Sequence, residues 1–172
     1  MRGIRLVAAA VLVLGLAACG EATSTDKSAA TTTKVVLYDP CTIPDEAVLA
    51  AGVDPKTKES GIEGRPRSGW EICGWYNDDF ALTVYSSART IRDYGAKARN
   101  ADFQSVTIAG RPGEQFRVDA DNRDFKCDVV FAAEQGSVQI SLLSLSPRAT
   151  DLPDPCRSLS EAASSLVPHL PR

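Results

Sequence analysis

Histidine is almost missing from this sequence. His169, between Pro168 and Leu170 near the end of the chain, is the only one in 172 residues. A Ser-His-Asp site would have to use it. No G-x-S-x-G run accompanies it, so His169 reads as a tail residue and no catalytic residue is assigned. H-E-x-x-H and a phosphate-cradling glycine loop are absent too. The cysteines form no C-x-x-C pair, the short spacing that structural zinc sites use, so neither a metal nor a cofactor is expected. Basic clusters are scarce: Arg65-Pro66-Arg67 is the densest, and it reads as a solvated loop. Nineteen Lys and Arg stand against twenty-two Asp and Glu. Without Arg2 and Arg5 of the leader the basic count falls to seventeen, a net charge of −5. That balance argues against nucleic acid as a partner.

No apolar run reaches the roughly 20 residues that a membrane-spanning helix needs. What is present instead is a short leader. Arg2 and Arg5 are followed by the apolar run Leu6 to Leu16, and Leu16-Ala17-Ala18-Cys19 closes it. This is the layout of a secretory signal over residues 1–18. A cysteine directly after Leu-Ala-Ala is the more specific sign of a bacterial lipobox. Cys19 would become the first residue of the mature chain and carry diacyl or triacyl lipid. The alternative is an ordinary secreted protein with an incidental Cys19. Each buried CH₂ contributes about 0.8 kcal/mol, and two chains suffice for stable anchoring. The expected location is therefore the extracytoplasmic face of the cell membrane. Residues 19–34 are rich in Ser, Thr and Ala with scattered charge. They have too little apolar surface to offset the entropy of ordering and read as a flexible tether.

Four cysteines remain: Cys41, Cys73, Cys127 and Cys156. An even number outside the cytoplasm implies disulfides. Three pairings are possible. Cys41–Cys73 and Cys127–Cys156 are favoured, because each links a helix start to a strand and closes a loop of about thirty residues, worth roughly 3–4 kcal/mol.

Residues 35–172 are enough for one domain with a real core. Asp39-Pro40-Cys41-Thr42-Ile43-Pro44 opens a helix, with Asp45 and Glu46 in the first turn where the helix dipole favours them. Gly52 ends it. Asp54 to Ser68 is polar and reads as a long loop. Trp70 to Tyr76 and Phe80 to Tyr85 alternate in character about a turn at Asn77-Asp78, the pattern of a hairpin. Its tryptophans flank Cys73 in sequence. They read as core filling around a disulfide, against the alternative of an aromatic ligand platform. Thr90 to Ala98 suggests a short helix. Four strands follow, over Phe103–Ala109, Glu114–Asp119, Phe125–Ala132 and Ser137–Leu145, and their short connections predict an antiparallel meander. After a loop from Ser146 to Pro153, Asp154-Pro155-Cys156 caps a last helix. Its stripe of Leu159, Ala162, Ala163 and Leu166 would face the sheet, and Pro168 stops it.

The prediction is an α+β fold: a mainly antiparallel sheet, made of a hairpin and a four-strand meander, packed by two to three helices and held by two disulfides. Acidic residues receive one test. Asp119, Asp121, Asp124 and Asp128 fall near one turn, but Arg123 intrudes and the glycine and later glutamate of a calcium loop are missing. They read as a solvated hairpin tip.

Asp39-Pro40-Cys41, Ala51-Gly52-Val53-Asp54, Gly69-Trp70-Glu71-Ile72-Cys73-Gly74-Trp75, Leu82-Thr83-Val84-Tyr85, Ile108-Ala109-Gly110-Arg111 and the late Asp-Pro-Cys resemble actinobacterial lipoproteins grouped as domain of unknown function 3558. The resemblance implies an exported, lipid-anchored protein and brings no catalytic residues. Three functional expectations follow. The first is a non-enzymatic binding or accessory module on the membrane's outer face, with an envelope protein as its partner. The second is a carrier of a small apolar ligand or lipid, which needs a cavity between sheet and helices. The third is a carboxylate-dependent hydrolase, which needs two acids sharing a cleft.

Overall fold

The computed structural model describes residues 35–118, 124–145 and 154–172. The leader, Cys19 and the tether lie outside these residues, as do Asp119, the turn expected at Asp121-Asn122 and the loop 146–153.

Alternation of side chains sets the sheet. The strands are β1 (Asp54–Ser60), β2 (Trp70–Tyr76), β3 (Phe80–Ser87), β4 (Asn100–Ile108), β5 (Arg111–Val118), β6 (Lys126–Ala133) and β7 (Gly136–Ser144). All neighbours pair antiparallel, in the order β1-β2-β3-β7-β6-β5-β4. The expected hairpin is β2-β3 and the expected meander is β4 to β7. The two are joined by β3 and β7, which pair without a break from Phe80↔Ser144 to Ser87↔Ser137.

Paired residues of antiparallel strands share a face, so the register divides the side chains into two sets. One face carries Cys73 and Trp75 of β2, Leu82 and Val84 of β3, Val138, Ile140 and Leu142 of β7, and Cys127, Val129 and Phe131 of β6, all buried. Helices α1 (Asp45–Ala50) and α3 (Pro155–Leu166) supply the other half of this core, with Val48, Leu159, Ala163 and Leu166 at 0 % exposure. The closeness of the packing shows at Gly113, where an added Cβ would stand 2.8 Å from the Phe131 ring.

Helix ends follow the sequence signals. Asp154 Oδ1 accepts from the Cys156 N–H at 2.7 Å, and Pro155 takes the first helical position. Asp39 accepts in the same way from the Cys41 N–H at 2.9 Å, in a 3₁₀ turn over Pro40–Thr42. Gly52 leaves α1 at φ 89°, a conformation that costs other residues strain. Each Asp-Pro-Cys run therefore starts a helical turn and delivers a cysteine to the sheet. Cys41 bonds Cys73 and Cys127 bonds Cys156, with Cα atoms 5.1 and 5.0 Å apart.

Two expectations change. The first half of the polar segment Asp54–Ser68 is not loop but β1, an edge strand. It hides from sequence patterning because an edge strand buries little, and Lys and Pro suit such edges. Its ladder is interrupted by a bulge between Asp54 and Glu59, and the Thr57 hydroxyl accepts from the Tyr76 N–H at 2.9 Å in that gap. The second change is the helix expected at Thr90–Ala98, which is the five-residue α2 (Ile91–Gly95). Asp93 caps it by accepting from the Thr90 N–H and hydroxyl at 2.7 and 2.9 Å.

Leu159→Ala removes a fully buried side chain between α3 and the sheet. It should lower stability by about 2–5 kcal/mol, seen as a lower urea midpoint with an unchanged slope.

Candidate functional site

The second face of the sheet is built differently. Register places Trp70, Ser87 and Ser137 in one cross-sheet row, Ile72, Tyr85, Gln139 and Val130 in the next, and Thr83, Ser141, Asp128 and Phe116 in a third. Polar groups thus run through the middle of this face, and Ser87, Ser137, Ser141 and Asp128 are all buried. The central strands β6 and β7 are covered on both sides, which explains five consecutive buried residues from Cys127 to Phe131.

Helix α2 roofs part of this face. Tyr94 packs on Phe116 with ring centroids 5.7 Å apart, and Phe116 stacks on Phe103 at 5.2 Å. Val130 completes this second, smaller apolar cluster. Beside it, where α2 ends, the face opens into a cleft of about 550 Å³. Its floor and walls include Trp70, Ile72, Tyr85, Tyr94 and Phe116. Arg67, Lys97, Arg99 and Lys126 also line it, with Asn100 and Gln139 as neutral polar groups. That size and mixture suit a small ligand. A larger neighbouring groove shares Arg67 and Trp70, but turn residues such as Gly61, Pro66, Ser68 and Gly69 make up much of its lining.

Cations and rings are interleaved at the cleft. Tyr85 meets Trp70 edge-on at 6.1 Å. Lys97 Nζ stands 4.6 Å from the Tyr94 ring centre and 5.7 Å from that of Trp70. The Arg89 guanidinium lies 5.5 Å from the same Trp70 ring. Burial lowers the Lys97 pKa, and the nearby Arg89 charge lowers it further. Burial raises the phenols of Tyr85 and Tyr94, so both stay neutral O–H groups at physiological pH.

Asp128 lies beneath the polar row at 0 % exposure. One carboxylate oxygen accepts from Gln139 Nε2 at 2.6 Å, and the other is 3.8 Å from Lys126 Nζ. Burial raises its pKa. Lys126, the Ser141 and Gln139 hydrogen bonds and Lys97 pull the other way without reversing the shift. Asp128 thereby fixes the orientation of two groups that line the cleft, Gln139 and Lys126.

The sequence-predicted residues are distributed as follows. The two disulfides form as expected, on the helix-packed face. Cys19 is outside the described residues. His169 ends a 3₁₀ turn, its carbonyl accepting from the Tyr38 hydroxyl at 3.1 Å, and it is not among the cleft-lining residues. The tryptophans separate. Trp75 is core beside Cys73, whereas Trp70 is half-buried on the opposite face in the cleft. The core reading therefore fails for Trp70, which shares its face with Ile72, two residues on, and not with Cys73 and Trp75. The acidic group also divides: Asp124 is exposed, but Asp128 is a buried strand residue and no part of a solvated tip. Among the described residues no three His, Cys, Asp or Glu side chains gather as a metal-binding set.

An antiparallel α+β domain with a helix-packed apolar face and a cleft on its other face defines the structural class. The family model of a protein of unknown function (DUF3558) matches residues 14–169, and the chain belongs to that family. No curated protein and no solved structure shows a significant match.

Burial makes the folded chain hold the Asp128 proton more tightly than the unfolded chain does. The stability this gives is complete below the unfolded carboxylate value of about 3.9 and is lost as pH rises through the folded value. Asp128→Asn should therefore gain stability relative to the parent as pH is raised from about 4 to about 8. Urea midpoints across that range check this, and a difference that stays constant would contradict it.

Proposed function

We propose that this chain is a lipid-anchored lipoprotein of the cell envelope that acts as a non-enzymatic binding module outside the membrane. The observation that carries the binding reading is the cleft beside α2, with rings below and directed polar groups around it. Among the described residues its lining includes no histidine, serine, cysteine or carboxylate, the groups that nucleophilic and paired-acid catalysis use. Asp128, a buried acid below the site, accepts from Gln139 through one oxygen, while the other has no hydrogen bond and only an ion-pair contact with Lys126 at 3.8 Å. The hydrolase alternative accordingly finds no pair of acids among the described lining residues.

The carrier alternative merges with the binding reading once its location changes. Between the sheet and α1 and α3 the side chains interlock as core. The space suited to a small ligand is on the opposite face, under the end of α2. Anchoring rests on Leu16-Ala17-Ala18-Cys19 and the polar tether behind it. No described helix is long and apolar enough to cross a membrane. A tether of sixteen residues, 19–34, would hold the domain off the surface and leave the cleft accessible.

Mass analysis of the chain taken from its own membranes tests both parts. The N-terminal peptide should begin at Cys19 and carry acyl chains. Native spectra should show a small molecule that is lost on denaturation and absent from Trp70→Ala. A free thiol on Cys19, or a retained leader, would overturn the anchoring. Catalytic turnover requiring a cleft residue would overturn the binding-module reading.

A further inference from the structure

We infer that the cleft takes a small amphiphilic anion, a carboxylate or phosphate head joined to an apolar body. The inference deepens the binding-module reading and rests on it. Its first support is a charge asymmetry. The whole sequence has more acids than bases, twenty-two against nineteen. Among the described residues the cleft lining reverses this, with Arg67, Lys97, Arg99 and Lys126 and no acid. Arg89 adds a fifth positive charge over the Trp70 ring. Basic groups gathered in one concavity of an otherwise acidic protein attract and orient an anion.

The second support is what lies between those charges. Trp70, Ile72, Tyr85 and Phe116 give the cleft an apolar and aromatic floor. A bare inorganic anion would leave that floor wet, and a neutral hydrocarbon would make no use of the Arg67 and Lys97 charges. A molecule with both parts uses both. The desolvated Lys97 ammonium, held over two rings, is relieved by an incoming negative group. Gln139 contributes direction. Its Nε2 is committed to Asp128, so its amide has a fixed orientation in the wall. Asp128 itself is fully buried and is not one of the lining residues.

Such a head and body could come from a free acid or from a membrane lipid. The test uses the full chain and three soluble probes: decanoate, its neutral counterpart decanol, and inorganic phosphate. Trp70 fluorescence reports occupancy, because Trp75 is buried on the other face. Decanoate should bind saturably and at least about tenfold more tightly than decanol or phosphate. Arg67→Gln and Lys97→Gln should each weaken decanoate by about tenfold or more while leaving decanol unchanged. Trp70→Ala, followed by calorimetry, should weaken both. Unchanged melting temperatures would show that the variants remain folded. Labelled phosphatidylglycerol vesicles separate the sources. Transfer of label to the protein assigns the head to a lipid, and decanoate binding without transfer assigns it to a free acid.

Equal affinity for decanoate and decanol, or decanoate binding indifferent to both charge substitutions, would overturn the anion assignment and leave the binding-module reading standing. Failure of all three probes at millimolar concentration would overturn the inference as well. Catalytic turnover at a cleft residue, read separately, would overturn the underlying reading.

Discussion

The pairing of β3 with β7 is the interaction on which the rest depends. It joins the three strands β1-β2-β3 to the four-strand meander β4 to β7 and makes one seven-stranded sheet. Its register matters as much as its existence. A slip of one residue would exchange the faces. With β7 in place, Leu82 and Val84 of β3 would then point away from α1 and α3, and Thr83 and Tyr85 would enter the apolar core. The sorting of apolar residues to one side and polar ones to the other both holds the sheet in place and gives the second face its polar row and cleft.

The disulfides secure this arrangement at its two ends. Each Asp-Pro-Cys run combines a side-chain cap, a residue with fixed φ and a covalent link within three positions. The links attach the 3₁₀ turn before α1 to β2 and the start of α3 to β6. Both lie on the apolar face. The cleft face has no such covalent reinforcement among the described residues. It is held by the Tyr94–Phe116–Phe103 ring contacts and by the buried polar row around Asp128. Covalent reinforcement on one side with a cleft on the other suits the proposed binding role.

Much of the fold was legible before any coordinates. Loop length and capping chemistry indicated both cysteine pairs, period-two alternation indicated β2, β3, β6 and β7, and the Leu159-Ala162-Ala163-Leu166 stripe indicated α3. What stayed hidden did so for physical reasons. The edge strand β1 buries too little to need an apolar pattern. Asp128 looks like part of a solvated turn because sequence alone does not reveal that β6 is covered on both faces. Trp70 and Trp75 look equivalent beside Cys73, although an interval of five places them on opposite sides of the sheet. The cleft has no motif at all. Arg67, Trp70, Lys97, Lys126 and Gln139 meet only after β3 and β7 have paired, and no local spacing announces them. Only the alternation of Trp70 with Ile72, away from Cys73, carried a usable hint.

Trp70 and Trp75 provide a direct internal comparison, one indole on each face of the same strand. The decisive measurement follows their two indole N–H resonances by nuclear magnetic resonance while decanoate is titrated into the intact chain. A cleft on the polar face should move the Trp70 resonance progressively to saturation and leave that of Trp75 in place. A stationary Trp70, or a Trp75 that moves with it, would contradict the assignment of binding to that face.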